Sequence, residues 1–151
     1  MNAEIFAFER SHSIEISAAP GAVLDYVTNP NTWPQWIAAS HKLESPDRPL
    51  TKGDRFREFW HTRSGEVTLD WVVIESTKDR LWIGETGAAF IGPIIVRYDV
   101  EIIEGGSHFT RTMINPARPK PPSDAMIRRM DEEAEISLAN IKRNVEAKAG
   151  L

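Results

Sequence analysis

The feature that most constrains this chain is the segment from Ser123 to Val145. Within it Ile127, Met130, Ala134, Leu138, Ile141 and Val145 recur at steps of three and four, which places them on one side of a helix. Arg128, Asp131, Glu132, Glu135, Lys142 and Glu146 fall away from that stripe, and Ile136 lies opposite it. Ser123 is suited to cap the start. Twenty-odd residues at 1.5 Å each make a rod of ~35 Å, long enough to cross a sheet. An apolar stripe of that length needs an apolar surface to cover, and the rest of the chain has to supply it.

The stretch from Lys42 to Asn115 does so as strands separated by turn residues. "GDRFREFWH" leads through "SG" into "EVTLDWVVIE" as a hairpin, and "STKD" turns into "RLWIGET". The run "IIVRYDVEII" alternates Ile94, Val96, Tyr98, Val100 and Ile102 against Ile95, Arg97, Asp99, Glu101 and Ile103. "EGGS" is the next turn and "HFTRTMIN" the last strand. Strands at hairpin spacing predict an antiparallel meander. Upstream, "ERSHSIEIS" sets His12, Ile14 and Ile16 against Ser13, Glu15 and Ser17, the period of a half-buried strand. Pro20 opens a helix in "AAPGAVLDYVTN", with Val23, Leu24, Tyr26 and Val27 as its apolar side. In "NPNTWPQW", Thr32 is placed to cap a second short helix carrying Trp33, Trp36 and Ile37. "NPARPKPP" reads as an extended, proline-restricted connector before the final helix. The result is an α+β chain forming a single domain over residues 1–151.

Several function classes are excluded by composition. The chain has no cysteine, which removes disulfides, thiolate catalysis and Cys-ligated metal sites. The formal charge is -4 and acidic and basic residues alternate, so no basic face is offered to nucleic acid. The N-terminus lacks the apolar run of a signal peptide, and no window approaches the ~20 apolar residues of a membrane span. The expected location is cytoplasmic. His12, His41, His61 and His108 fall one to a segment, so neither a metal site nor any other cofactor is expected. There is no GxSxG elbow, P-loop or GxGxxG.

"IEISAAPGAVLDYVTNPNTWPQW", then "LTKGDRF", then the alternating strand with its "EGGSHFTRT" continuation, resemble the START-like (SRPBCC) superfamily, in its polyketide cyclase/dehydrase and lipid-transport branch. The resemblance runs from about Ser11 to Val145. It implies a helix-grip fold: a curved seven-stranded antiparallel sheet wrapped around the long C-terminal helix, with two short helices after the first strand closing one end. It also implies a small hydrophobic or aromatic ligand held between sheet and helix.

Polar residues that interrupt the sheet faces are the candidate chemistry. The parity that buries Phe56 also buries Glu58 and Trp60, and that of Phe109 and Met113 carries Arg111 inward. Asp70 shares a face with Val72 and Ile74, while Leu69, Trp71 and Val73 form the more apolar alternative, so the inward face of the Glu66–Glu75 strand stays open. A buried Glu58 or Arg111 needs a partner, and the two are expected to pair with each other, with Asp70 or Tyr98, or with water. The pair is either structural or a polar spot that orients a ligand, and it is the candidate for any catalysis. The expected ligand-binding set is Trp36, Phe56, Glu58, Trp60, Asp70, Tyr98, Phe109, Arg111, Met113 and Met130. Trp33 and Trp36 belong either to the core or to a cavity wall. Phe90 and Ile91 in "GAAFIGP" form either a flap or a plain hairpin link. Binding of a small hydrophobic molecule is the leading function. A polyketide cyclase/dehydrase-like enzyme using the same cavity is the alternative, and an interaction protein with a filled core and a dimerising outer face, a homodimer, is the third.

Overall fold

The computed structural model describes residues 5–62, 65–88 and 92–150. Strand β1 (Phe6–Ile16) leads into helix α1 (Pro20–Val27) and a 3-10 helix (Pro30–Gln35). Strands β2 (Ser40–Glu44), β3 (Arg55–Thr62), β4 (Gly65–Thr77), β5 (Leu81–Ala88), β6 (Gly92–Ile103) and β7 (Gly106–Arg118) follow, and helix α2 (Asp124–Lys148) ends the chain. The seven strands form one antiparallel sheet in the order β1-β7-β6-β5-β4-β3-β2. Consecutive strands from β2 to β7 pair as a meander, and β1 returns to lie beside β7. Among the described residues no helix is long and apolar enough to cross a membrane.

The short helices follow local chemistry. Pro20 stands in the first turn of α1, where its missing N–H leaves no bond unmade, and Val23, Leu24, Tyr26 and Val27 are buried. The second helix differs from expectation in its cap: Asn29 Oδ1 accepts from the Asn31 N–H at 3.2 Å, so Asn29, not Thr32, starts it. Pro34 lies inside this segment and donates nothing to a helical ladder, which fits a short 3-10 turn rather than an α-helix. The Thr32 hydroxyl instead donates to Tyr26 O at 2.8 Å and accepts from Trp36 Nε1 at 3.3 Å.

The sheet settles the parity left open on β4. Leu69, Trp71 and Val73 are buried, and Asp70 points outward to Arg57, with Nε donating to Oδ1 at 2.7 Å. On β6, Ile94, Val96, Tyr98 and Val100 are buried, but Ile102 is 80% exposed. Alternation buries a side chain only where something covers the face, and at Ile102 the strand has outrun its cover. The turn after β6 closes on Gly105 (φ +83), and at Gly106 a Cβ would stand 2.1 Å from the Ile16 carbonyl oxygen.

Strand β7 also runs further than expected, through Pro116 to Arg118. Phe8 pairs with Asn115 and Phe6 with Arg118, so Pro116 and Ala117 stand opposite Ala7 alone. This β-bulge shifts the alternation by one residue and brings Arg118 inward in phase with Asn115, both buried. The proline-rich connector therefore begins only after Arg118.

Ser123 caps α2 by accepting from the Met126 N–H at 3.1 Å. Leu138, Ile141 and Val145 are buried against the core, with Ala134 and Ser137. Ile127 and Met130, expected to be buried, are only half-buried. The second half of the helix grips the sheet, while its first half lies over a hollow. Asp131 ties that first half to β1: Arg10 donates to it at 2.9 and 2.6 Å, and His12 Nε2 lies 2.7 Å from Oδ1. At the other end Lys142 donates to Glu15 O at 3.0 Å, and the Ser17 N–H donates to Glu146 at 2.9 Å.

Candidate functional site

An aromatic cluster forms one end of the interior. Trp33 stands edge-on to Phe56, Trp71 and Trp82 at centroid distances of 5.2, 5.8 and 6.3 Å. Its Nε1 donates to Val27 O at 2.9 Å, so the indole is both packed and satisfied. Phe56 stacks on Trp71, 4° from parallel, and Trp82 stacks on Tyr98 at 5.1 Å. Gly84 leaves room for this second stack, since a Cβ there would lie 2.9 Å from the Trp82 ring. Trp33 and Trp36 are both buried core residues, and both line the hollow beside the cluster.

That hollow is a cavity of about 380 Å³ between the sheet and the first half of α2. It falls within the ~300–1,000 Å³ usual for small-ligand sites. Trp36, Ile94, Val96, Met113, Met130 and Ala134 give it apolar walls. Glu58, Trp60, Tyr98, Arg111, Asn115 and Arg118 bring polar groups to the same space. Pro34, Ala38, Glu133 and Ile136 line it while being exposed, and so mark its mouth.

The polar groups are unusually short of partners. Glu58 is 1% exposed, and its Oε1 accepts from Trp71 Nε1 at 3.1 Å. Burial pushes the Glu58 carboxyl upward, and the Trp60 indole, the Ser40 hydroxyl, Trp71 and the Arg111 charge offset part of that rise. Trp60 and Ser40 are close enough to be felt, yet Glu58 Oε2, Trp60 Nε1 and Ser40 Oγ all lack a hydrogen bond of good geometry. Tyr98 OH and Arg111 Nε likewise lack one of good geometry, although the two side chains are close enough for the guanidinium to be felt at the phenol. Tyr98 and Arg111 are opposite each other across β6 and β7. Burial moves the Tyr98 phenol up to about 12, against the pull of the Arg111 charge. Four of these five residues line the cavity, and the fifth, Ser40, is the register partner of Trp60. Buried polar atoms are normally satisfied, so such a cluster at one cavity is a site with unmet bonding capacity.

The expected Glu58–Arg111 ion pair does not form: among the described residues neither has a salt-bridge partner. The carboxyl is held by Trp71 instead, and the Arg111 guanidinium lies over the Trp36 ring, 5.7 Å from its centroid. Of the expected ligand-binding set, the structure brings Trp36, Glu58, Trp60, Tyr98, Arg111, Met113 and Met130 to the cavity. Phe56 and Phe109 are not on its lining, because Phe56 is enclosed by Trp33 and Trp71 and Phe109 packs behind Tyr98. Asp70 is on the opposite face of the sheet. Phe90 and Ile91 lie outside the described residues. Sequence reasoning missed Trp71, Asn115 and Arg118; Asn115 follows the plain alternation of Phe109, Arg111 and Met113, and Arg118 depends on the bulge, for which Pro116 inside a strand was the available signal. Among the described residues no three His, Asp or Glu side chains converge as metal ligands.

A sheet closed over one long helix, with a hollow between them, defines a helix-grip domain of the START-like type. The family model described as polyketide cyclase/dehydrase and lipid transport matches residues 7–146, and the chain belongs to that family. No curated protein matches the sequence. Among solved structures, Ara h 8.0201 superposes with a TM-score of 0.72 at 10% identity, over 94% of this chain and 99% of that one. A protein of unknown function from Staphylococcus aureus superposes at 0.75 and 13% identity, over 99% and 100%. The di-domain ARO/CYC protein StfQ of the steffimycin biosynthetic pathway superposes at 0.74 and 12% identity, over 96% of this chain and 53% of that one. At these identities the likeness is one of fold.

Proposed function

We propose that this protein binds a small hydrophobic or aromatic molecule in the cavity between the sheet and α2. The observation that carries the reading is the clustering of unpartnered buried polar atoms of Glu58, Trp60, Tyr98 and Arg111 around one apolar-walled hollow. Leaving each such atom unsatisfied costs about 1–3 kcal/mol, a cost that a ligand or enclosed water removes. The filled-core alternative has no support in an interior that leaves about 380 Å³ free. Native mass spectrometry of freshly purified protein tests the proposal: a co-purified or added aromatic molecule bound at one per chain is expected. Failure to retain any apolar or aromatic molecule across a broad panel would overturn it.

A second reading, enzymatic, is favoured by Glu58. A carboxyl whose pKa is raised by burial, facing a cavity, is suited to move a proton in cyclisation or dehydration of a polyketide-like substrate. StfQ is an ARO/CYC protein by its description and gives this reading a parallel in fold. Turnover of a polyketone that is abolished by Glu58→Gln, with binding retained, would establish it over simple binding.

A further inference from the structure

The charges around the cavity are unbalanced. Arg118 is 8% exposed and bonds only to neutral groups: Nε donates to Lys120 O at 3.0 Å, one terminal nitrogen to Asn115 Oδ1 at 3.4 Å, and the other to Met126 Sδ at 3.9 Å. Arg111 has a buried Nε with no acceptor and lies on the Trp36 ring. Among the described residues no carboxylate reaches ion-pair distance of either guanidinium. The other basic side chains on the lining, Arg10 and His12, are already engaged by Asp131. Of the two carboxylates on the lining, Glu133 is exposed at the mouth and Glu58 is held by the Trp71 indole.

We infer that the cavity is built for an anionic ligand, an oxyanion such as a carboxylate or enolate on a planar apolar body, received by Arg111 and Arg118. The inference rests on the binding proposed above and narrows it to a ligand class. Both arginines belong to β7, and the bulge at Pro116 and Ala117 is what turns the second one inward. Among the unmet groups on the lining, Trp60 Nε1–H and Arg111 Nε–H are donors only and the Tyr98 hydroxyl is able to donate, while an oxyanion is acceptor only. Burial raises the Glu58 pKa, which lessens the repulsion such a ligand would meet. Trp36, Val96 and Met113 supply the surface for the apolar body.

Isothermal titration calorimetry with three probes that share one ring system tests this: 2-naphthoate, 2-naphthylmethanol and 2-naphthylmethylammonium. The naphthoate should bind tighter than the alcohol by about tenfold or more, the scale of one charge-assisted hydrogen bond, with the ammonium weakest. Arg111→Gln and Arg118→Gln should each shrink that margin, and the wild-type ranking stands as a test should either variant fail to fold. Equal or tighter binding of the alcohol, or tightest binding of the ammonium, overturns the anion assignment and leaves the cavity reading intact. Absence of binding by all three counts against both.

Discussion

Trp71 Nε1 donates a 3.1 Å hydrogen bond to Glu58 Oε1, reaching from β4 to the neighbouring β3 on the inner face of the sheet. This contact holds a carboxyl buried beside the cavity, and that burial makes the stability of the protein depend on pH. Burial raises the folded-state pKa of Glu58 above its ordinary 4.5. The folded state therefore holds this proton more tightly than the unfolded chain, and the stability it contributes is present at low pH and lost as pH rises through the raised value. Glu58→Gln does not titrate. The stability of Glu58→Gln relative to wild type, from urea unfolding, should rise as pH increases from 4 to 8. A difference that stays flat or falls over that range contradicts the burial of Glu58.

Asp54 has the opposite sign. The Arg48 guanidinium, donating at 2.8 Å, and the Thr51 N–H lower its pKa from 3.8 to about 2. Its contribution is present above the ordinary carboxylate range and lost as pH falls through the lowered value. Asp54→Asn should therefore lie below wild type in stability at pH 7 and converge with it on acidification toward pH 2. Arg48 is exposed and Asp54 partly so, which keeps the difference small and makes it shrink further in salt.

The two halves of α2 should respond differently to truncation. Leu138 is 4% exposed against the core, so Leu138→Ala should cost about 2–5 kcal/mol. Met130 is half-buried over the cavity, so Met130→Ala should cost about half of that or less, because it enlarges a space already open. Chemical denaturation of the two variants checks the ratio; equal costs would mean the helix is gripped along its whole length.

Tyr98 carries a buried hydroxyl with no hydrogen bond of good geometry. Removing it relieves a desolvation cost, so Tyr98→Phe should leave the unliganded protein unchanged or more stable by about 1 kcal/mol. Its thermal shift on binding 2-naphthoate should be smaller than that of wild type. A marked loss of stability without ligand would mean that the hydroxyl is satisfied.

The fold was legible because it rests on long periodic signals. The steps of three and four from Ile127 to Val145 and the alternation from Ile94 to Val100 each survive a few misplaced residues. The candidate site was half legible, since strand parity put Glu58, Trp60 and Arg111 on the inner face, where they line the cavity. Parity alone did not say how far a covered face extends, which exposed Ile102. It could not separate a residue enclosed by rings, such as Phe56, from one facing a void, such as Met113. Arg118 was out of reach because a one-residue bulge inverts the alternation, and Asp70 because two apolar faces of β4 competed. The Glu58–Arg111 pairing failed for a different reason: an indole N–H and an aromatic face took the places of the opposite charges.

The central claim is that the interior of this domain is a hollow that accepts a ligand, and a titration with Nile red, a neutral dye whose emission reports an apolar site, tests it most directly. Ala134 lines the cavity from α2, so Ala134→Trp should fill it while leaving the far-UV circular dichroism unchanged. The wild-type protein should take up one dye per chain with saturation, and Ala134→Trp should lose that uptake. No saturable uptake by the folded wild type, or uptake unaltered in a folded Ala134→Trp, would contradict the account.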